Sequence, residues 1–75
     1  MNWRRIKPGM YEQYDRDGIV RAVIERSALI PYMWWWAAWS EILDAKGQAC
    51  GLRKAKTMIE FARMANAQAR SMRSA

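Results

Sequence analysis

The chain has 75 residues, with 13 Lys and Arg against seven Asp and Glu, a net charge of +6 and a hydrophobic fraction of 52%. This length supports one hydrophobic core, so the sequence predicts a single domain over residues 1–75. The single cysteine, Cys50, and the lack of histidine exclude an internal disulfide and the usual zinc sites. The longest apolar run, residues 28–39, contains Pro31 and is too short to span a bilayer, so we expect no membrane association.

The N-terminal half predicts an arm and two strands. Residues 1–8 are basic and are predicted as an N-terminal arm that ends at Pro8-Gly9. Residues 9–15 read as a strand that leads into a hairpin turn at Asp17-Gly18, because glycine accepts a positive φ. Residues 19–26 follow as a β-branched strand, whose alternation sends Ala22 and Ile24 to the core and Arg21 to the other face.

The middle of the chain predicts a third strand rich in tryptophan. A loop over residues 27–31 precedes it, because Pro31 cannot donate to a sheet ladder. The strand is predicted over residues 32–40, although residues 37–43 also permit a helix. Alternation then sends Trp34 and Trp36 to one face and Trp35 and Trp39 to the other. One helix cannot cover both faces, so the second pair is either a binding patch or part of a self-associating surface. The alternative is that the tryptophans simply fill the core or lie in a helix that wraps them.

The C-terminal part predicts a turn and a helix. Residues 44–47, with an aspartate and a glycine, read as a turn. Residues 52–70 read as an amphipathic helix with a frayed tail over 71–75, and its apolar stripe comprises Leu52, Ala55, Met58, Ile59, Ala62, Ala65 and Ala69. The predicted fold is α+β: a small antiparallel three-stranded sheet over residues 9–49 with one C-terminal helix on one face (β-β-β-α).

Most of the excess positive charge lies in the predicted helix. Residues 50–75 carry six Lys and Arg against one acidic residue, whereas residues 1–49 carry seven against six. Arg53, Lys54 and Lys56 lie near the helix start, where the dipole disfavours cations, so they form either an anion site or a solvated basic face. Arg63 and Arg70 continue the basic side and could neutralise phosphates.

The sequence offers little for catalysis. Without histidine, Cys50 has no imidazole to activate it, and the acidic residues show no motif spacing. Gly47 and Gly51 belong to no phosphate-binding motif. We therefore predict no enzymatic activity, no catalytic residue, no cofactor and no metal. The candidate partner-binding residues are Trp34, Trp35, Trp36, Trp39, Arg21, Arg53, Lys54, Lys56, Arg63 and Arg70.

The chain carries Pro8-Gly9-Met10-Tyr11, then Asp17-Gly18, a β-branched strand, a Trp-rich strand, and Ala55-Lys56 in the predicted helix. This order of turns and strands resembles that of small phage and prophage β-β-β-α proteins. The group includes anti-CRISPR proteins, so the resemblance implies an accessory protein that inhibits a host nucleic-acid machine, such as a CRISPR-Cas effector complex, in the bacterial cytoplasm. The expected partner is a protein; direct nucleic-acid binding and a homodimer are the alternatives.

Overall fold

The structure, a computed structural model, describes residues 2–40 and 43–74, with side chains described as far as residue 68. Its elements are β1 (Asn2–Lys7), β2 (Met10–Tyr14), β3 (Val20–Arg26), β4 (Trp34–Trp39), β5 (Asp44–Ala49) and α1 (Leu52–Ser74). The strands form one antiparallel sheet in the order β1-β2-β3-β4-β5. The α+β class is confirmed, but the sheet has five strands where three were predicted.

The predicted N-terminal arm is wrong, because residues 2–7 form β1. This strand pairs with β2 from Asn2, opposite Tyr14, to Lys7, opposite Met10. Pro8-Gly9 closes the hairpin, and Gly9 takes the left-handed φ of +82° that glycine adopts without strain. The sequence pattern does not indicate this strand, because an edge strand with exposed cations lacks a continuous apolar alternation.

The predicted turn at residues 44–47 is also wrong, because these residues begin β5. Gly47 pairs with Trp36 of β4, and a Cβ on Gly47 would lie 2.9 Å from Cζ2 of Trp36. The glycine therefore makes room for the indole inside a strand. Before β5, the Ser40 N–H donates to the Leu43 carbonyl at 2.8 Å. Residues 37–39 belong to strand β4, and residues 41–42 of the ambiguous segment lie outside the described residues.

The core lies between α1 and the sheet face made by alternate residues of β3, β4 and β5. Its buried members are Ala22, Ile24, Trp36, Ala38, Ala49, Ala55 and Ile59. Ala22 and Ile24 point to the core as the alternation predicts. Small side chains dominate, so the helix approaches the sheet closely around the single large indole of Trp36.

Helix α1 begins at Leu52, as predicted, and continues to Ser74, beyond the predicted end at residue 70. Ala55 and Ile59 are fully buried against the sheet. Met58 and Ala65, which were predicted to share this stripe, are exposed instead. At 3.6 residues per turn, Met58 lies about 60° around the axis from Ala55, which places it on the flank of the helix. The buried stripe is therefore narrower than predicted.

Candidate functional site

The tryptophans of β4 divide between the two sheet faces as their alternation predicts. Trp36 is 7% exposed in the core and Trp34 packs against that core, whereas Trp35 is 51% exposed and Trp39 36% exposed. Helix α1 contacts β3, β4 and β5 on the core side. In the described part of the chain no element covers the opposite side of the sheet, which we call the open face.

A small residue, Ala37, lies between the two exposed tryptophans. Ala37 separates Trp35 from Trp39 along β4, and the register places Val23 and Lys46 on either side of Ala37. Four residues of extended chain hold the two tryptophan Cα atoms about 13 Å apart. Ala37 therefore forms a shallow floor between the two indoles, an arrangement that can receive a protruding side chain or loop of a partner.

Charges of both signs surround this floor. Among the described strands, alternation and register place three carboxylates and four cations on the open face: Glu12, Glu25, Asp44, Arg4, Lys7, Arg21 and Lys46. The Arg4 guanidinium carbon lies 5.3 Å from the centre of the Tyr14 ring. The Tyr14 hydroxyl donates to Oε1 of Glu12 at 2.6 Å, and this hydrogen bond raises the pKa of Tyr14. The charges of these strands on the open face therefore nearly balance, whereas the whole chain has a net charge of +6.

The turn between β2 and β3 holds Arg21 in place beside the open face. The Asp15 carboxylate accepts hydrogen bonds from Nε of Arg21 at 2.9 Å and from the backbone N–H groups of Asp17 and Ile19. These bonds, that of Arg21 foremost, lower the pKa of Asp15. Gly18, with φ of +79°, completes the turn predicted at Asp17-Gly18.

Two cations predicted on the solvent side of α1 turn toward the sheet instead. Nζ of Lys56 lies 5.3 Å from the centre of the Trp3 ring and 5.8 Å from that of Tyr11. Nη1 of Arg63 donates to Oε1 of the buried Gln13 at 2.6 Å. Buried Nη2 of Arg63 has no hydrogen-bond partner among the described residues. We call these five residues the helix-side cluster.

The remaining predicted cations lie elsewhere. Arg53 and Lys54 are exposed on the first turn of α1, near the end of β5. Arg70 belongs to the helix, and its side chain lies outside those described. The structure therefore brings Trp35, Trp39 and Arg21 together on the open face, but separates them from the helix cations. The candidate residues do not form one composite aromatic and basic surface.

One exposed apolar segment was missed by the sequence reasoning. The loop between β3 and β4 presents Leu29, which is 92% exposed, together with Tyr32. The Ser27 hydroxyl oxygen accepts from the N–H groups of Leu29 and Ile30, both at 3.2 Å, and holds the loop in a turn. The sequence signal for this exposed segment was the set of large apolar residues around Pro31, in a segment that cannot join a core strand.

The described residues contain no group of three or more potential metal ligands. No described helix combines the length and apolar character needed to cross a membrane. Comparison of the chain with protein-family models, curated proteins and solved structures gives no match.

Proposed function

We propose that this chain is a non-enzymatic binding protein whose open face docks on a protein partner. The observation that carries the proposal is the exposure of Trp35 and Trp39 on a sheet face that no described element covers. Tryptophan contributes more to interfaces than most residues, since it removes a large apolar area from water and has few rotatable bonds. Two indoles around a shallow floor supply both the area and the shape of an interface centre.

The charges of the open face favour a protein over a nucleic acid. A phosphate-binding surface needs cations that are not offset by carboxylates. Here Glu12, Glu25 and Asp44 offset the cations, and Arg21 already bonds Asp15. A mixed set of charges around an apolar centre is instead the usual arrangement of a protein interface with a polar rim.

In its sharpest form, the proposal makes the protein a phage or mobile-element inhibitor of a host nucleic-acid machine, such as a CRISPR-Cas effector complex. Its support is the resemblance to small phage proteins, together with a surface suited to protein recognition. The inhibitor would act in the bacterial cytoplasm by covering a surface that the effector needs for target DNA. Such action requires no catalytic residue and no cofactor.

The test measures target-DNA binding by a panel of purified CRISPR effector complexes with and without the protein. We expect the wild-type protein to block binding for one effector type, and the Trp35→Ser, Trp39→Ser double variant to lose this block. Met64→Ser is the matched control, because Met64 is exposed on the helix, away from the open face. Equal inhibition by the double variant and wild type would remove the open face from the proposal, and failure to inhibit any effector would remove the anti-CRISPR form.

A second candidate function, direct nucleic-acid binding, is favoured by the helix-side cluster. Lys56 lies beside two aromatic rings, and exposed Arg5 follows Trp3 at a two-residue step on the same face of β1. Stacking of bases on aromatic rings near cations is the common mode of single-strand binding. Fluorescence anisotropy with a labelled single strand at several salt concentrations tests it: a steep loss of affinity with salt, and a further loss in Lys56→Glu, would support it. Salt-independent or undetectable binding would refute it.

A further inference from the structure

The outer edge of β5 is a second surface with unused binding capacity. β5 is the last strand of the sheet, so one side of its backbone has no strand neighbour among the described residues. Such an edge pairs readily with another extended chain unless it is guarded. The opposite edge, β1, is guarded by a bulge between Arg5 and Lys7 and by its cations. The β5 edge carries only Asp44 and Lys46 as charged residues.

A groove runs between this edge and the first turns of α1. Ala49 and Cys50 line its strand side, and Arg53, Lys54 and Met58 line its helix side. Further along the same flank, Phe61 is 58% exposed. One line along the helix surface contains Lys54, Met58 and Phe61, at steps of four and three residues. Along this line a charged side chain is followed by two apolar side chains above the free edge.

The spacing of this line suits an added strand. The step from Lys54 to Met58 advances about 6 Å and that from Met58 to Phe61 about 4.5 Å, against 6.6–6.8 Å between alternate residues of a strand. An extended peptide beside β5 would therefore direct every second side chain toward one member of the line. A peptide antiparallel to β5 begins beside the C-terminal end of that strand, and Arg53 and Lys54 lie there because only Cys50 and Gly51 separate β5 from α1.

We propose that the β5 edge and the groove bind an extended acidic peptide segment of a protein partner by strand addition. In the antiparallel direction, the segment places an acidic residue beside Arg53 and Lys54, and apolar residues two and four positions later beside Met58 and Phe61. The expected order of acidic and apolar peptide residues follows from the charge and order of the groove residues. Backbone hydrogen bonds with β5 supply affinity, as in other complexes formed by strand addition. The site is separate from the open face and does not depend on it.

A second copy of the chain is a poorer occupant of this edge. Antiparallel pairing of β5 with β5 would bring the Lys46 side chains of both copies close to one another, while Arg53 and Lys54 would lie at opposite ends of the pair. The chain carries a net charge of +6, so this arrangement adds repulsion between like charges. An acidic strand removes the same repulsion.

The experiment uses a fluorescently labelled, capped hexapeptide with glutamate first, valine third and fifth, and threonine elsewhere. We expect anisotropy to show saturable binding to the full chain, and a peptide with the order reversed to bind less well. Methylating one alternate set of backbone amides should abolish binding, whereas methylating the other set should be tolerated, since only one set faces β5. Equal tolerance of both sets, or no binding of the unmethylated peptide, would overturn strand addition.

Surface variants locate the site. Met58→Ser should weaken binding about tenfold through lost apolar contact, and Lys54→Glu should weaken it by a similar factor, about tenfold, through charge reversal. Met64→Ser and Arg16→Glu are the matched controls, because they make the same changes at exposed positions away from the groove. If the controls weaken binding as much, the site is refuted.

The open face and the β5 edge can be tested separately. The Trp35→Ser, Trp39→Ser double variant should bind the peptide as wild type does, whatever its effect on the proposed inhibitory function. Light scattering of the free protein should give a monomer mass. A dimer whose formation competes with the peptide would assign the edge to self-association and overturn the proposal.

Discussion

The adjacent tryptophans Trp35 and Trp36 should differ sharply in their contribution to stability. Trp36 is 7% exposed and Trp35 is 51% exposed, although both belong to the same strand. A tryptophan buries at most about 250 Å², so the two side chains differ by about 110 Å² removed from water. At about 25 cal/mol per Å², this difference corresponds to about 3 kcal/mol. We therefore expect Trp36→Ala to cost about 3 kcal/mol more than Trp35→Ala.

The size of the expected loss in folding stability determines which variants the experiment needs. Replacing a buried tryptophan by alanine costs about 3–5 kcal/mol, and a chain of this length has a total stability of about 4–11 kcal/mol. Trp36→Ala can therefore approach complete unfolding, so Trp36→Phe and Trp35→Phe form a second, milder pair. Urea denaturation followed by circular dichroism measures all four variants, because tryptophan fluorescence changes with the substitutions themselves.

The order of the two positions is the critical result. Trp35→Ala should leave most of the stability intact, and the milder pair should keep the same order as the alanine pair. Equal destabilisation at both positions, or a larger loss at Trp35, would show that the open face is covered in solution. That outcome would refute the assignment of Trp35 to an available binding surface.

Three further outcomes test the remaining contacts. Gly47→Ala should cost about 1–3 kcal/mol in urea denaturation, because its Cβ would meet the Trp36 ring, whereas Gln48→Ala should stay within about 0.5 kcal/mol. A double-mutant cycle of Gln13→Leu with Arg63→Met should give a coupling energy of about 0.5–3 kcal/mol, and additive changes would contradict the Arg63 contact. An NMR titration of Asp15 should give a midpoint below 3.8, the value without the turn, and Arg21→Met should raise it. Since folding lowers this pKa, the stability from Asp15 is present above pH 3.8 and is lost as the pH falls through the folded pKa; Asp15→Asn should remove that loss.

Local patterns were sufficient to predict the centre of the fold. β3 and β4 follow from β-branched and aromatic residues, whose alternation also separates Trp36 from Trp35. The start of α1 follows from the change to three- and four-residue spacing at Leu52. These features depend only on residues near one another in the chain.

The two edge strands could not be predicted by the same means. β1 contains charged residues at successive positions because it has one outer side in water, and β5 contains Gly47 because a neighbouring strand places an indole there. Both signals depend on partners that are distant in the sequence or on the position of a strand in the sheet. A glycine in an alternating sequence fits a turn as well as a strand position that a neighbouring side chain approaches closely. Only the pairing of Gly47 with Trp36 shows that the second description is correct.

The separation of the aromatic and basic surfaces follows from the choice of the sheet face that the helix covers. In β3 one face carries Ala22 and Ile24 and the other carries Arg21 and Glu25, so burying the second face would remove two charges from water at a high cost. The helix must therefore cover the first face, which includes Trp36 through its pairing with Ile24. Since Trp35 and Trp39 point away from that face, cations on α1 cannot join them in one interface. A partner of the open face must meet the two indoles without help from the helix, and the basic flank of α1 is left for a different ligand.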